Sequence, residues 1–530
     1  MRRSLLPEKY HYFVYVFALA ILVIGMPVSN FLVSLSQIIL VCNWFLEGNL
    51  IAKIKSFLQN KAALILSSLM LLHLIGLIYT SDYDYAFNDI RIKAPLLILP
   101  LIISTSKSLS KEIVNIILKL FVGSIIVASC ISILILTGII HRKTEIIDIR
   151  EASMFISHIR FALLICVAIF ISGYFISVYK NSLVKLIWVL VIAWLIIFLI
   201  IMQSVTGLSA LSFASFVLLI NYLVKSSNKI IKYAGLFSIL ILVAGAFYYI
   251  QKIRTEVTAK DVLDLSKLEK LTAHGNEYQQ ELNSKLTENG HLIWINFCPK
   301  ELEESWNKRS KIKYSEKDLK GNQIAFTLAR FLTSKNLKKD GDAVNSLTDD
   351  EVAAIERGVV NVNYQNISSL EGRLHEIFWE LDLYETTGDP NGHSLTQRFE
   401  FWKAAFEIIK EHPLIGVGTG DVRKAFDAQY EKMNSPLLKE WRLRSHNQYL
   451  SIAVAFGLIG FLWFLLTLIY PMIICNKTVD YLYITFFLIA IVSFLTEDTL
   501  ETQAGVTFFA FFNNFFLFVF KKNEDSIQLK

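Results

Sequence analysis

The chain has 530 residues, of which 54% are apolar and 13% aromatic, and only 18% are charged. Apolar residues in that proportion, gathered in runs long enough to cross a bilayer, exclude a soluble globular domain and predict an all-α polytopic membrane protein. The net charge of +6 lies largely in short loops between those runs, where it sets topology and implies no nucleic-acid partner.

In chain order, apolar runs fall at 11–26, 28–46, 62–79, 92–105, 113–137, 155–179, 183–203, 205–224, 231–250, 448–471, 479–495 and 503–520, which gives about twelve transmembrane helices. The N-terminus has a charged start and an apolar core but no small-residue cleavage site, so it reads as a retained first helix. Runs that meet at Gly25-Met26-Pro27 and at Gln203-Ser204 predict tight turns or re-entrant pairs. Lys and Arg collect in alternate loops, beginning with Arg2, Arg3 and Lys9 and ending with Lys521 and Lys522, with His141-Arg142-Lys143 as the exception. The positive-inside rule then puts both termini in the cytoplasm and 251–447 outside. The expected organisation is an N-terminal membrane part over 1–250 with about nine helices, an extracytoplasmic domain over 251–447, and a C-terminal membrane part over 448–530 with about three.

At roughly 200 residues, the outer segment is domain-sized, and its pattern is helical. A helix is predicted over Ser315–Phe331, a capped start at Leu347-Thr348-Asp349-Asp350-Glu351, and an amphipathic helix over Leu370–Tyr384 with Phe378, Trp379 and Leu383 on its apolar side. Cys298 is the only one of five cysteines in this segment, so it holds no internal disulfide, and no Cys/His cluster has zinc spacing. No internal repeat is visible.

The richest stretch runs from Ser394 to Leu450. Ser394 and Gln397 predict a capping box, with a helix from about Leu395 that carries Arg398, Trp402, Ala405 and Ile409 along one face. Pro413 stops it at His412, and Gly416, Gly418 and Gly420 turn the chain into a second helix near Asp421. The glycine loop lacks a following Lys and does not follow a strand, so it is no nucleotide P-loop. It reads first as a tight turn, with contact of its N–H groups to an anion as the second reading.

Arg398, Trp402, His412-Pro413-Leu414-Ile415-Gly416-Val417-Gly418 and His446-Asn447 before a membrane helix resemble, in this order, the O-antigen ligase and O-antigen polymerase superfamily. The resemblance implies a large extracytoplasmic loop, a lipid-linked glycan donor and a role for His446 as general base. From the residue alone, an interfacial His bonded to a headgroup or to Asn447 is the better reading, and it is the resemblance that favours the base. Arg398 either clamps a phosphate through its planar guanidinium or pairs with Glu400 or Glu407. Arg160, at the outer end of an apolar run, either meets a pyrophosphate or snorkels to the interface. His158 beside it reads as a packing residue. Arg442 and Arg444 are placed for lipid phosphate, of the substrate or of the bulk membrane. The site is therefore expected to comprise His446 and Arg398 as catalytic residues, and Arg160, Arg442, Arg444, Trp402, Asn447, Gly416 and Gly418 at the substrate. No metal and no cofactor are expected.

Two acidic groups read first as solvated outer charge: Asp82-Asp84-Asp89 with Arg91, with a metal site as the second reading, and Glu497-Asp498-Glu501, with a group that orients a sugar as the second reading. In one place the chain departs from the family. Many members carry an Arg in a Ser-Arg-Thr-Gly-like stretch, and here Gln203-Ser204-Val205-Thr206-Gly207 has Val205 instead. Either Arg160 supplies the charge from a neighbouring helix or the donor is handled differently.

No ATP or nucleotide-sugar motif is present. The expected reaction is transfer of a glycan from an undecaprenyl diphosphate carrier to an acceptor hydroxyl on the periplasmic side of a bacterial inner membrane. Ligation to lipid A–core ranks first, with glycan polymerisation or protein O-glycosylation as alternatives. A polyprenyl-linked glycan transporter would need ionisable residues deep in several helices and two pseudo-symmetric halves. The sequence shows neither. Segment 265–385 is longer than many ligase loops and is expected to shape the acceptor site.

Overall fold

The computed structural model describes residues 7–141, 149–259, 268–364 and 370–519. Arg2, Arg3, Arg142, Lys143, Lys521 and Lys522 of the topology reading lie outside the described residues. The helices of the first half are α1 (Glu8–Val28), α2 (Asn30–Leu46), α3 (Leu50–Gln59), α4 (Lys61–Ile75), α5 (Tyr83–Lys93), α6 (Pro95–Thr105), α7 (Lys111–Leu136), α8 (His158–Val178), α9 (Ser182–Ile201), α10 (Val205–Lys225) and α11 (Lys229–Thr258). The outer segment contributes α12 (Pro299–Arg309), α13 (Ile324–Ser334), α14 (Gly341–Asn345), α15 (Asp349–Glu356), α16 (Leu370–Thr387), α17 (Ser394–Glu411) and α18 (Val422–Lys432). The last three are α19 (Gln448–Ile474), α20 (Tyr481–Thr496) and α21 (Gln503–Asn514).

Polar residues at the ends of the apolar runs start these helices. Asn60, Ser110, Asn181, Asn228 and Asp480 each accept a first-turn backbone N–H, at the heads of α4, α7, α9, α11 and α20. Such caps satisfy donors that hydrocarbon cannot. Seven helices, α1, α7, α8, α9, α10, α11 and α19, are long and apolar enough to span a bilayer, and the α2–α3 pair, bent by 112°, makes an eighth if it is one span. The runs at 62–79, 479–495 and 503–520 give shorter apolar helices. The run at 92–105 is cut by Pro95, which opens α6, and bent by Pro100 within it. The difference from about twelve spans is one of helix length, because a hydropathy window does not register where a proline or a polar cap divides an apolar run. The protein is an all-α polytopic membrane protein.

One apolar core joins α1, α4, α6, α7, α8, α20 and α21, and is rich in phenylalanine around Phe486 and Phe512. By contrast α11 buries only Ile253 and Val257, and its remaining apolar length suits a lipid surround. The outer segment has its own small core around Trp306, Phe331 and Ile355. Against Ile253 and Val257 the amphipathic α16 lays Trp379, Phe378 and Leu383. Thr348 and Glu351 form the expected capping box of α15.

Two local expectations are corrected. The helix predicted from Ser315 begins only at Ile324, because Gly321, at φ +91°, closes a turn in which Gly321 N donates to Asp318 O and Asp318 N to Asn322 O. The capping box at Ser394 is absent. His393 is the N-cap of α17, and no side chain caps it.

The glycine loop packs on a break in α19, where Gly457 has φ +61° and ψ −162°. Val417 N and Gly418 N donate to Val454 O (3.0 Å) and Ala455 O (2.9 Å), and Leu458 N returns a bond to Pro413 O (2.8 Å). A Cβ on Gly416, at φ +67°, would lie 2.4 Å from the backbone of Ala455 and Phe456. Only glycine lets the two backbones meet here.

Candidate functional site

A cavity of ≈ 900 Å³ opens at the mouth of the membrane part and is lined by His158, Arg160, Arg444, His446, Glu497 and Asp498 among others. Three separate parts of the chain deliver these groups. Arg160 stands on the first turn of α8, Arg444 and His446 precede α19, and Glu497 and Asp498 follow α20. Arg398, on the first turns of α17, reaches the cavity through Glu497.

Glu497 is the hub. Its side chain is 4% exposed, and it accepts from Arg398 Nη2 at 2.8 Å on Oε1 and from Arg160 Nη1 at 3.3 Å on Oε2. His446 Nδ1 lies 3.5 Å from Glu497 Oε2 and 3.6 Å from Asp498 Oδ1. Burial works against the Glu497 carboxylate, but His446 and the two guanidinium groups outweigh it and hold its pKa below the usual carboxylate range. With Nδ1 turned to the carboxylates, Nε2 is the imidazole nitrogen left to meet a hydroxyl.

His446 takes φ +46°, a left-handed conformation that costs roughly 1–2 kcal/mol outside glycine and is held by its neighbours. Trp402 Nε1 donates to Ser445 O at 2.9 Å, and Phe401 lies 5.7 Å from the imidazole, ring to ring. Asn447 caps α19 by accepting from Leu450 N (3.1 Å) and ties it to Leu495 O (3.1 Å). Trp402 and Asn447 thus position His446, and neither lines the cavity.

Arg444 donates to Glu501 Oε2 at 2.9 Å and to Tyr85 Oη at 3.3 Å, and its Nη2 lies 3.5 Å from Asp498. Behind it, Glu501 accepts from Lys93 (2.8 Å), and Lys93 also donates to Asp89 (2.6 and 2.7 Å), which lies 3.3 Å from His73. A file of alternating charges thus runs from α4 and α5 to the cavity wall.

Several expectations change. Glu497, Asp498 and Asp89 are buried and paired, not solvated, and the Glu501 side chain is 9% exposed and paired, because Glu497, Asp498 and Glu501 each meet a cation brought by a distant part of the chain. His158 lines the cavity instead of packing inside. Arg160 is 9% exposed and bound to Glu497, so it does not snorkel. Arg398 pairs with neither Glu400 nor Glu407. Arg442 is away from the cavity, bonded to Glu431 and to Leu437 O. Gly416 and Gly418 spend their N–H groups on His412 O and Ala455 O, so the loop has none of these left for an anion. Val205 is exposed, while Gly207 in the next turn packs on Ala162 of α8. Arg160 is therefore on the helix beside the place where relatives carry their arginine.

The acidic turn after α20 is what sequence reasoning missed. Its signal was present, since three arginines at one membrane face require compensating carboxylates. Donor atoms of His446, Glu497 and Asp498 lie within 4.8 Å of one another, a grouping that suits a divalent ion, although both oxygens of Glu497 already face guanidinium groups.

No curated protein matches the chain. The family model described as O-antigen ligase matches residues 347–465, the stretch that carries Arg398, Trp402, the glycine loop, Arg444 and His446. The match supports, over this stretch, a likeness to the O-antigen ligase superfamily.

Proposed function

We propose that the protein transfers a glycan from a polyprenyl diphosphate carrier to an acceptor hydroxyl on the extracytoplasmic face, in the first place to lipid A–core. The observation that carries this reading is the convergence of Arg160, Arg398, Arg444 and His446 on one membrane-face cavity through the carboxylates of Glu497 and Asp498. Arg160 and Arg398 meet the charge that develops on the departing diphosphate, and Arg444 closes the wall. His446 takes the proton of the attacking hydroxyl on Nε2, while Glu497 and Asp498 orient the ring and stabilise the imidazolium. With no free carboxylate poised as nucleophile among the described residues, the reaction is a single displacement with inversion. Polymerisation shares this chemistry and differs only in the acceptor.

The test is reconstitution with a lipid-linked glycan and separate acceptors. Transfer to lipid A–core is expected, whereas transfer only to a second repeat unit would make the protein a polymerase, and no transfer to any acceptor would sink the reading. Turnover is expected to persist in excess EDTA, because guanidinium groups occupy the carboxylate a metal would need. Strict rescue by magnesium or manganese would instead make His446, Glu497 and Asp498 a metal site.

This reading needs 251–447 outside the cell membrane and both termini in the cytoplasm, as the Lys and Arg distribution indicates. Single-cysteine variants at Ser226, after α10, and Ser346, after α14, are expected to label from outside only at Ser346. Outside labelling of Ser226 would reverse the orientation and remove the mechanism with it.

A further inference from the structure

A second cavity, of ≈ 520 Å³, lies in the outer segment and shares no lining residue with the first. Its wall includes Phe326 and Arg330 of α13, Tyr364, Trp379 of α16, His393 at the head of α17, and Gln203 from the turn before α10. The size is within the range of about 300–1,000 Å³ usual for sites that hold small organic ligands.

Arg330 is 6% exposed. Its Nε donates to Glu288 at 2.8 Å, and its guanidinium lies 3.4 Å from the centre of the Trp379 ring. The terminal nitrogens of Arg330 and the Tyr364 hydroxyl have no hydrogen-bond partner among the described residues. These atoms are not sealed from solvent, so on the cavity wall they are open to a ligand that accepts from them. Glu288 already balances the Arg330 charge, which favours a hydroxyl-rich ligand over a strongly anionic one. Planar donors on a partly aromatic wall suit sugars, whose hydroxyls accept hydrogen bonds.

The position fits the chemistry next door. His393 lines this cavity, and Arg398 stands about one and a half turns further along, about 7.5 Å on the helix axis, bonded to Glu497 in the first cavity. We propose that the second cavity is a saccharide subsite, which holds sugar units of a glycan while its reacting end lies at His446. This inference rests on the transferase reading above.

The test uses the full chain in nanodiscs and two probes. One is the delipidated oligosaccharide released by mild acid from the lipid-linked donor, and the other is the delipidated core oligosaccharide. Binding is measured by calorimetry, and KM and kcat by transfer assay. Tyr364→Phe removes the free hydroxyl, and Arg330→Lys removes the planar fork but keeps the charge that Glu288 needs. Each is expected to weaken one probe about tenfold and to raise KM for the matching substrate with little change in kcat. The probe affected names the source, donor or acceptor. Wild-type affinity and KM for both probes in both variants, or no binding of either probe to wild type, would overturn the subsite. Failure of the transferase reading is separate, since it abolishes turnover and leaves variant-sensitive sugar binding in place.

Discussion

His446→Ala is expected to leave the protein folded and to lower turnover by roughly 10²–10⁴, the usual worth of a positioned general base. The ring is partly exposed at the cavity wall, so its removal leaves no large void, while the two carboxylates keep Arg160, Arg398 and Arg444 as partners. Donor affinity is expected to stay near wild type, because in the proposed mechanism guanidinium groups hold the diphosphate. Arg398→Lys separates the two roles. It keeps a charge but loses the planar fork, so donor binding and turnover are expected to fall together, and further in Arg398→Ala. Steady-state turnover and donor affinity at matched expression decide the matter. Wild-type turnover in His446→Ala would remove the base assignment, and unchanged donor affinity in Arg398→Ala would return that arginine to a structural pair with Glu497.

The second large effect is on stability. Lys93→Met is expected to destabilise the protein by about 3–5 kcal/mol, the usual consequence of removing one partner of a buried ion pair. The Lys93 side chain is 2% exposed and joins Asp89 and Glu501, themselves 7% and 9% exposed. Without the ammonium, two carboxylates face each other behind Arg444. Lys93→Met with Asp89→Asn is expected to recover a substantial part of the loss, because the second change removes the charge left unpaired. Thermal unfolding in detergent measures both. A melting temperature equal to wild type in the single variant would show that the file of charges is not a structural support. Turnover in the surviving Lys93→Met protein is also expected to fall, since Glu501 then no longer fixes Arg444.

Local rules made much of this legible. Pro413 ended α17 at Glu411, the acidic start of α15 formed its capping box, and the apolar runs marked helices. His446 and Arg398 stood out because they flank a glycine loop before an apolar run. What escaped was set by contacts between distant positions. Glu497 lies 99 residues from Arg398 and 337 from Arg160, and a short acidic turn looks the same whether solvent or three cations surround it. The glycine loop is the tight turn its spacing predicts, and the second reading, contact of its N–H groups with an anion, gives way because the break at Gly457 presents the carbonyls of Val454 and Ala455 to Val417 and Gly418.

The file of charges behind the cavity has a consequence for how a donor would be recognised. Arg160, Arg398, Arg444 and Lys93 supply four positive charges, and Glu497, Asp498, Glu501 and Asp89 supply four negative ones. These pairs leave no excess cation at the cavity wall. In the proposed reaction a diphosphate would therefore gain its guanidinium contacts only by exchange, as Arg160 or Arg398 turns from Glu497 to a phosphate oxygen. Recognition is then a competition between two acceptors for the same guanidinium groups, one built into the fold and one brought by the substrate.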